Sequence, residues 1–213
     1  MNIISDNHLH SSFSSDSNAS SESMIQKALK LGLTSMCFTE HNDYDYPPED
    51  GKIVFKIDFD SYFNTLSGLR EKYRSQIDIR IGIEQGLMAS VASKVDAFDS
   101  DSRLDFIIGS SHLVNGDDPY YPEFWEYSDV KTAILSYYES IIDNLNTCHN
   151  FDVYGHIDYI ARYIPKDRIS EYKEKDFYDI LDAILHTIIT NGKGIELNTA
   201  GLRYSTAQTN PSP

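Results

Sequence analysis

The fold is decided by residues 3–41, which read IISDNHLHSSFSSDSNASSESMIQKALKLGLTSMCFTEH. The two isoleucines at the start of this segment lead into a short strand, and the serine-rich residues 11–23 are typical of a loop. Gly32 is expected to end a helix whose apolar residues recur at helical spacing: Met24, Ile25, Ala28 and Leu29. Residues 34–40 form a short apolar run that suits a buried strand. This order predicts a βαβ unit.

The alternation of helix and strand patterns continues along the rest of the chain. Helices are predicted at Phe59–Tyr73, near residues 90–98, and on apolar stripes in residues 130–145 and 177–188, and strands at residues 77–84, Phe106–Ser110, 151–155 and 194–197. About six β/α units predict a parallel sheet or a barrel. An open doubly wound sheet is the alternative, although no glycine-rich phosphate loop follows the first strand.

Composition limits the kinds of partner. The chain has 213 residues, and 18 Lys and Arg against 33 Asp and Glu leave a formal net charge of −15. This length, with 40% hydrophobic residues, suits one domain over residues 1–213. Because the negative charge repels phosphate backbones and anionic lipids, we expect neither nucleic acid nor a membrane as partner.

Cysteine use and hydropathy point to a cytoplasmic location. Cys37 and Cys148 lie far apart and neither belongs to a CxxC pair, so we expect no disulfide framework and no cysteine-based zinc site. No basic and apolar leader opens the chain, and no run of 18 apolar residues occurs.

Histidines mark the predicted chemistry. His8 and His10 stand two apart on the first strand, so their side chains leave the same face. Alone, such a pair is a weak metal signal, because neutral imidazole also packs well without an ion. Three more histidines and a glutamate stand at the carboxyl ends of later strands: His41, Glu84, His112 and His156. Those ends meet on one face of a β/α barrel, so the set predicts a site for zinc, manganese or iron.

Asp16 lies in the serine-rich loop, six residues after His10. Spacing alone leaves helix capping, plain solvation and metal binding open for its carboxylate.

Six motifs in this order resemble the PHP (polymerase and histidinol phosphatase) metal-dependent phosphoesterases, and within them the histidinol-phosphate phosphatases. The resemblance covers nearly the whole chain. It is carried by Asp6-x-His8-x-His10, Phe38-Thr-Glu-His41, Gly82-Ile-Glu84, Gly109-Ser-Ser-His112, Gly155-His-Ile-Asp158 and Glu196-Leu-Asn-Thr-x-Gly-Leu-Arg203. It implies an α/β fold, a distorted (β/α)7-type barrel that holds two or three divalent metal ions, whereas the sequence pattern supplies six strands.

The resemblance also implies roles for particular residues. His8, His10 and Glu84 resemble ligands of a first metal, Glu84 also bridges to a second metal with His112 and His156, and Asp16 with His41 resembles part of a third site. Arg162 and Arg203 resemble phosphate-binding arginines, since the guanidinium fork suits a phosphate dianion, although both also fit solvated surface residues.

This sequence departs from the family at its end. The family's last unit carries an Asp-x-His motif that supplies two further ligands, and no such motif occurs before Pro213. We therefore expect a C-terminally truncated domain, with the last barrel unit missing from this chain.

The expected reaction is hydrolysis of L-histidinol phosphate to L-histidinol and phosphate, a step of histidine biosynthesis. The metals would activate water, Arg162, Arg203 and His41 would bind the substrate, and His41 would protonate the leaving alkoxide. Two alternatives stay open: another phosphoesterase or nuclease of the same superfamily, and an inactive metal-binding domain that lacks the C-terminal ligands.

Overall fold

The computed structural model describes residues 3–203 and 209–211. The chain forms two compact units. The first consists of residues up to Gln85 together with Ala97–Ile108, and the second consists of Gly86–Asp96 together with the residues from Gly109 onward.

Six strands follow one another in the sheet in the order in which they occur in the chain. They are β1 (Ser5–Leu9), β2 (Ser35–Asp43), β3 (Asp78–Gly86), β4 (Phe106–Ser110), β5 (Val153–Tyr154) and β6 (Gly194–Ile195). The pairs β1–β2 and β5–β6 are parallel. A doubly wound sheet reverses its strand order at a switch point, and this sheet has no such reversal. The sequential order therefore favours the barrel-type interpretation over the doubly wound alternative.

Five α-helices connect these strands in the part of the chain that the structure describes. They are α1 (Ser21–Leu31), α2 (Phe59–Tyr73), α3 (Ala92–Asp99), α4 (Val130–Thr147) and α5 (Tyr178–Thr190). The predicted end of α1 is confirmed, because Gly32 caps the helix in the left-handed conformation at φ 80°. The predicted bounds of α2 and β4 are confirmed as well.

Several predicted bounds need correction. The serine-rich loop ends earlier than residue 23, because the Ser20 side chain accepts from the Ser23 amide and starts α1 at Ser21. Strand β2 runs on to Asp43. The last two strands are shorter than predicted, since the pairing of β5 with β6 joins only Val153 to Gly194 and Tyr154 to Ile195.

The core of the first unit lies between α2 and the neighbouring strands β2 and β3. Tyr62 of α2 is fully buried, and its hydroxyl donates to the carbonyls of Phe38 and Gly82. Gly82 has no room for a side chain, because a Cβ atom there would stand 2.5 Å from the Phe106 carbonyl oxygen. Tyr62 thereby joins the middle of β2 to the middle of β3.

The core of the second unit is built on α4. The predicted apolar stripe is buried, at Val130, Ile134, Tyr137, Ile141 and Leu145. Asn144 on the same helix donates to the Leu87 carbonyl and to the Ser111 hydroxyl. Cys37 and Cys148 are buried, and neither forms a disulfide within the described residues. Within residues 3–203 and 209–211, no helix combines the length and the apolar character needed to cross a membrane.

Candidate metal centre

The carboxylate of Glu84 is the centre of a cluster of imidazoles in the first unit. Glu84 lies near the end of β3 and is 1% exposed. Its Oε2 atom lies 3.1 Å from His8 Nε2 and 3.0 Å from His10 Nε2. His41 Nδ1, from β2, lies 3.2 Å from the same oxygen. The ends of β1 and β2 thus bring three ring nitrogens to one carboxylate oxygen of β3.

The end of β1 aims its two histidines at this point. Their Nε2 atoms lie 3.1 Å apart, so the prediction that His8 and His10 leave the same face is confirmed. The pairing of β1 with β2 shifts register between Asp6 and Leu9. Irregular pairing of this kind bends a strand and re-aims its side chains, as is common beside active sites. The Leu9 amide donates to Thr39 Oγ1 and anchors the shifted end.

Asp16 joins this cluster from the serine-rich loop. Its Oδ2 atom lies 3.1 Å from His10 Nδ1 and 3.7 Å from His41 Nε2. Burial alone would raise the pKa of the Asp16 carboxyl, but hydrogen bonds and charges from these two imidazoles outweigh burial and hold the pKa well below its usual range. The capping alternative is wrong, because Ser20 caps α1.

These donor atoms fit a divalent transition-metal ion. Two ligand atoms bound at about 2.0–2.1 Å to one ion in tetrahedral geometry lie roughly 3.4 Å apart. The spacings around Glu84 Oε2, from 3.0 to 3.2 Å, are close to that value. Imidazole with carboxylate is the ligand mixture that zinc, manganese and iron accept. His10, His41 and Glu84 form one such group of potential ligands.

Asp43 belongs to the surroundings of this cluster, although sequence reasoning missed it. Its side chain is buried, and its Oδ2 atom lies 3.4 Å from His41 Nδ1. The missed signal is the alternation along β2, since residues 41 and 43 share one face of a strand that continues past Glu40.

The second unit brings His112 and His156 together. Each follows its strand by two residues, and their ring centroids lie 5.5 Å apart. Both are buried, at 6% and 4% exposure. The ring of Tyr159 lies 5.5 Å from that of His112 and 5.1 Å from that of His156. The His156 amide donates to Glu196 Oε2, which ties the loop after β5 to the segment after β6.

The two predicted phosphate-binding arginines differ in their surroundings. Arg162 lies in a 3₁₀ helix at Tyr159–Tyr163, half-buried, with its guanidinium 5.6 Å above the Tyr159 ring. Its Nε atom donates to Asn210 Oδ1, and Asn210 in turn donates to Asp158. The solvated interpretation is therefore wrong for Arg162. Arg203 is exposed at the end of a second 3₁₀ helix, Thr199–Arg203.

Known proteins are similar to this chain over most of its length. A family model described as PHP domain matches residues 6–200. A histidinol-phosphatase of Lactococcus lactis subsp. lactis (strain IL1403) is 32% identical over 197 residues, which cover 91% of this chain and 71% of that protein. A histidinol-phosphatase of Bacillus subtilis (strain 168) is 27% identical and covers 95% of this chain and 82% of its own length.

A solved structure shares the fold. The crystal structure of histidinol phosphate phosphatase from Lactococcus lactis, complexed with zinc, L-histidinol and phosphate, matches with a TM-score of 0.85 and 30% identity. The match covers 92% of this chain and 73% of that chain. The predicted α/β fold class is confirmed by this likeness. With the family model spanning residues 6–200, the chain belongs to the PHP domain family.

Proposed function

We propose that this chain is a metal-dependent histidinol-phosphatase that hydrolyses L-histidinol phosphate to L-histidinol and phosphate. The observation that carries the proposal is the convergence of three imidazole nitrogens on Glu84 Oε2, at 3.0–3.2 Å. The similarity to histidinol-phosphatases over most of the chain, at 32% identity to one of them, supports the substrate. A small phosphate monoester also agrees with a net charge of −15, which disfavours a polynucleotide.

The metal ligands are proposed from both units. In the first unit they are His8, His10, Asp16, His41 and Glu84, and in the second unit His112 and His156. We assign two or three divalent ions, zinc, manganese or iron, to these residues. When bound, such ions supply a water activated near neutral pH and stabilise the charge on the transferring phosphoryl oxygens.

The phosphate group is assigned to Arg162 and Arg203. A guanidinium offers parallel N–H donors that match two phosphoryl oxygens. The hydrogen bond from Arg162 Nε to Asn210 fixes the plane of its guanidinium before substrate arrives. Arg203 is exposed, so a phosphate group in solvent can reach its guanidinium.

His41 is assigned the proton of the leaving group. Its Nδ1 atom faces Glu84 with the other ligand nitrogens, whereas its Nε2 atom faces Asp16 at 3.7 Å. The water oxygen loses one proton to solvent as it forms a new bond to phosphorus, and the bond from phosphorus to the ester oxygen breaks. The ester oxygen takes the Nε2 proton of His41 in its protonated, metal-free state, and solvent returns a proton to His41. Asp16 holds the imidazolium in place until the transfer.

The test is phosphate release from L-histidinol phosphate by the 213-residue chain after incubation with Mn²⁺ or Zn²⁺. Release is expected from the wild type and lost in His112→Ala. His149→Ala is the matched control, because His149 is an exposed histidine outside the proposed ligand set, and it should keep full activity. A folded, metal-loaded wild type that releases no phosphate would overturn the proposal, and so would an equally active His112→Ala. A single-stranded oligonucleotide in place of histidinol phosphate tests the nuclease alternative.

A further inference from the structure

The serine-rich loop is built around a second buried glutamate, Glu40 of β2. Its side chain is 0% exposed, and both of its oxygens accept hydrogen bonds from the loop. The Ser11 amide donates to the two oxygens at 2.9 and 3.0 Å, and the hydroxyls of Ser11 and Ser14 each donate at 2.6 Å. Charge-assisted bonds of this length are among the stronger hydrogen bonds in proteins.

These bonds join the backbone beside one proposed metal ligand to the backbone beside another. Ser11 directly follows His10, and Glu40 directly precedes His41. The bond is reinforced from the opposite side, because the His41 amide donates to Ser14 Oγ at 3.0 Å. The carboxyl group of Glu40 therefore holds the ends of β1 and β2 at a fixed separation, next to His10 and His41.

The same contacts shape the loop that carries Asp16. The Ser14 amide donates to the Ser11 carbonyl, and the Ser12 amide donates to the Ala19 carbonyl at 2.8 Å, which closes the base of the loop. Ser21, the first residue of α1, donates from its hydroxyl to Ser11 Oγ at 3.0 Å. Between these ties, Asp16 reaches His10 Nδ1 at 3.1 Å.

We propose that Glu40 is a positioning residue for the metal centre, which holds residues 11–14 in the conformation that brings Asp16 to His10 and His41. Glu40 does this through Ser11 and Ser14, whose groups occupy both of its oxygens. The role rests on the proposed function in one respect, the assignment of Asp16, His10 and His41 as metal ligands. It also accounts for the serines, because Ser11 and Ser14 are buried donors rather than a solvated linker.

The experiment is a calorimetric titration of the metal-free chain with Mn²⁺, for wild type, Glu40→Gln, Asp16→Asn and the double variant. In Glu40→Gln, the NH₂ group of the side-chain amide replaces one acceptor oxygen, so it faces a serine hydroxyl that donates a hydrogen bond in the wild type. We expect Glu40→Gln to weaken Mn²⁺ binding by roughly 10- to 100-fold, the range found when residues that orient metal ligands are replaced. In the Asp16→Asn background the same substitution should cause little further loss, because it acts through Asp16.

The matched control is Asp105→Asn. Asp105 also accepts a backbone hydrogen bond in the first unit, from the Ile81 amide at 2.8 Å, but it has no link to the serine loop. Asp105→Asn should lower the urea concentration at the midpoint of unfolding, and its affinity for Mn²⁺ should stay within twofold of wild type. A loss of affinity in this control equal to that in Glu40→Gln would reduce the role of Glu40 to stability and overturn the proposal.

Two further outcomes overturn it. One is wild-type affinity in Glu40→Gln, and the other is full additivity of the two substitutions in the double variant. If Glu40→Gln does not fold, Ser14→Ala replaces it, because that variant removes one hydroxyl donor and keeps the buried carboxyl. The titration needs no substrate, so an inactive wild type would overturn the proposed function and leave this test intact.

Discussion

Glu40 and Glu84 are both fully buried glutamates near the ends of neighbouring strands, and their surroundings differ. Three imidazole nitrogens surround Glu84 Oε2, whereas serine hydroxyls and a backbone amide surround Glu40. Imidazole nitrogens can also bind metal ions, whereas backbone N–H and hydroxyl groups act here as hydrogen-bond donors that satisfy the acceptor oxygens of the carboxylate. Burial is thus common to the proposed metal ligand Glu84 and the proposed positioning residue Glu40, and the hydrogen-bonding groups around each carboxylate distinguish the two.

The largest effect is expected at Glu84. Glu84→Gln keeps the shape of the side chain and removes the charge that the imidazoles share, so kcat/KM for L-histidinol phosphate should fall by roughly a thousandfold or more. Metal analysis after gel filtration should show that bound Mn²⁺ is lost together with the activity. A variant that keeps both bound metal and turnover would mean that Glu84, like Glu40, is not a metal ligand.

Metal addition should separate the two glutamates by stability. An ion present at 100 times its Kd, bound only by the folded chain, stabilises it by about 2.7 kcal/mol. Urea unfolding with and without Mn²⁺ should show this shift in the wild type and show it abolished in Glu84→Gln. At the same Mn²⁺ concentration, Glu40→Gln should keep a smaller shift. Equal shifts in the two variants would contradict the comparison.

Gly82, two residues before Glu84 on β3, has no room for a side chain. In Gly82→Ala the new Cβ would meet the Phe106 carbonyl oxygen at 2.5 Å and Cys37 Sγ at 2.9 Å. We expect a loss of about 1–3 kcal/mol in the free energy of unfolding, measured by urea denaturation.

Gly68→Ala is the control for this substitution, with the opposite sign. Gly68 lies within α2, and a Cβ there meets nothing within 4 Å. Alanine should therefore raise stability by about 0.5–1 kcal/mol, because glycine is the poorer helix former. Equal losses in both variants would mean that the close contacts of Gly82 are not the cause.

The smallest effect is expected at Ser21, which is one hydrogen bond further from Glu40 than Ser11 is. Ser21→Ala removes the donor to Ser11 Oγ but leaves all the bonds to Glu40. The free energy of unfolding should fall by about 1 kcal/mol. Mn²⁺ affinity should stay within twofold of wild type by calorimetry, and a tenfold loss would extend the positioning network beyond the serines that touch Glu40.

Much of the fold follows from local patterns. The bounds of α2 were predictable because apolar periodicity fills the whole helix, and Gly32 ends α1 where its left-handed φ is needed. The short pairing of β5 with β6 was not predictable, since the segments predicted as strands, residues 151–155 and 194–197, extend beyond the residues that pair. The length of β2 was underestimated because the end of a strand depends on its pairing with adjacent strands, which the local sequence pattern does not show.

The site was predictable in its members more than in its contacts. His8 and His10 share a face by simple alternation, and Glu84 and His41 stand near the ends of their strands, as predicted. Asp16 needed the folded loop, because its approach to His10 depends on bonds between residues far apart in sequence. Glu40 was visible in the Thr-Glu-His motif, but only the contacts with Ser11 and Ser14 reveal its surroundings.

The placement of the first cluster also has a consequence for the order of events during translation. All of its residues, from His8 to Glu84, precede the end of the third strand in the chain, whereas His112 and His156 come later. At about 5–20 residues per second, a ribosome needs roughly 4 to 14 seconds to go from Glu84 to His156. The ribosome therefore adds every residue of the first cluster seconds before it adds His156.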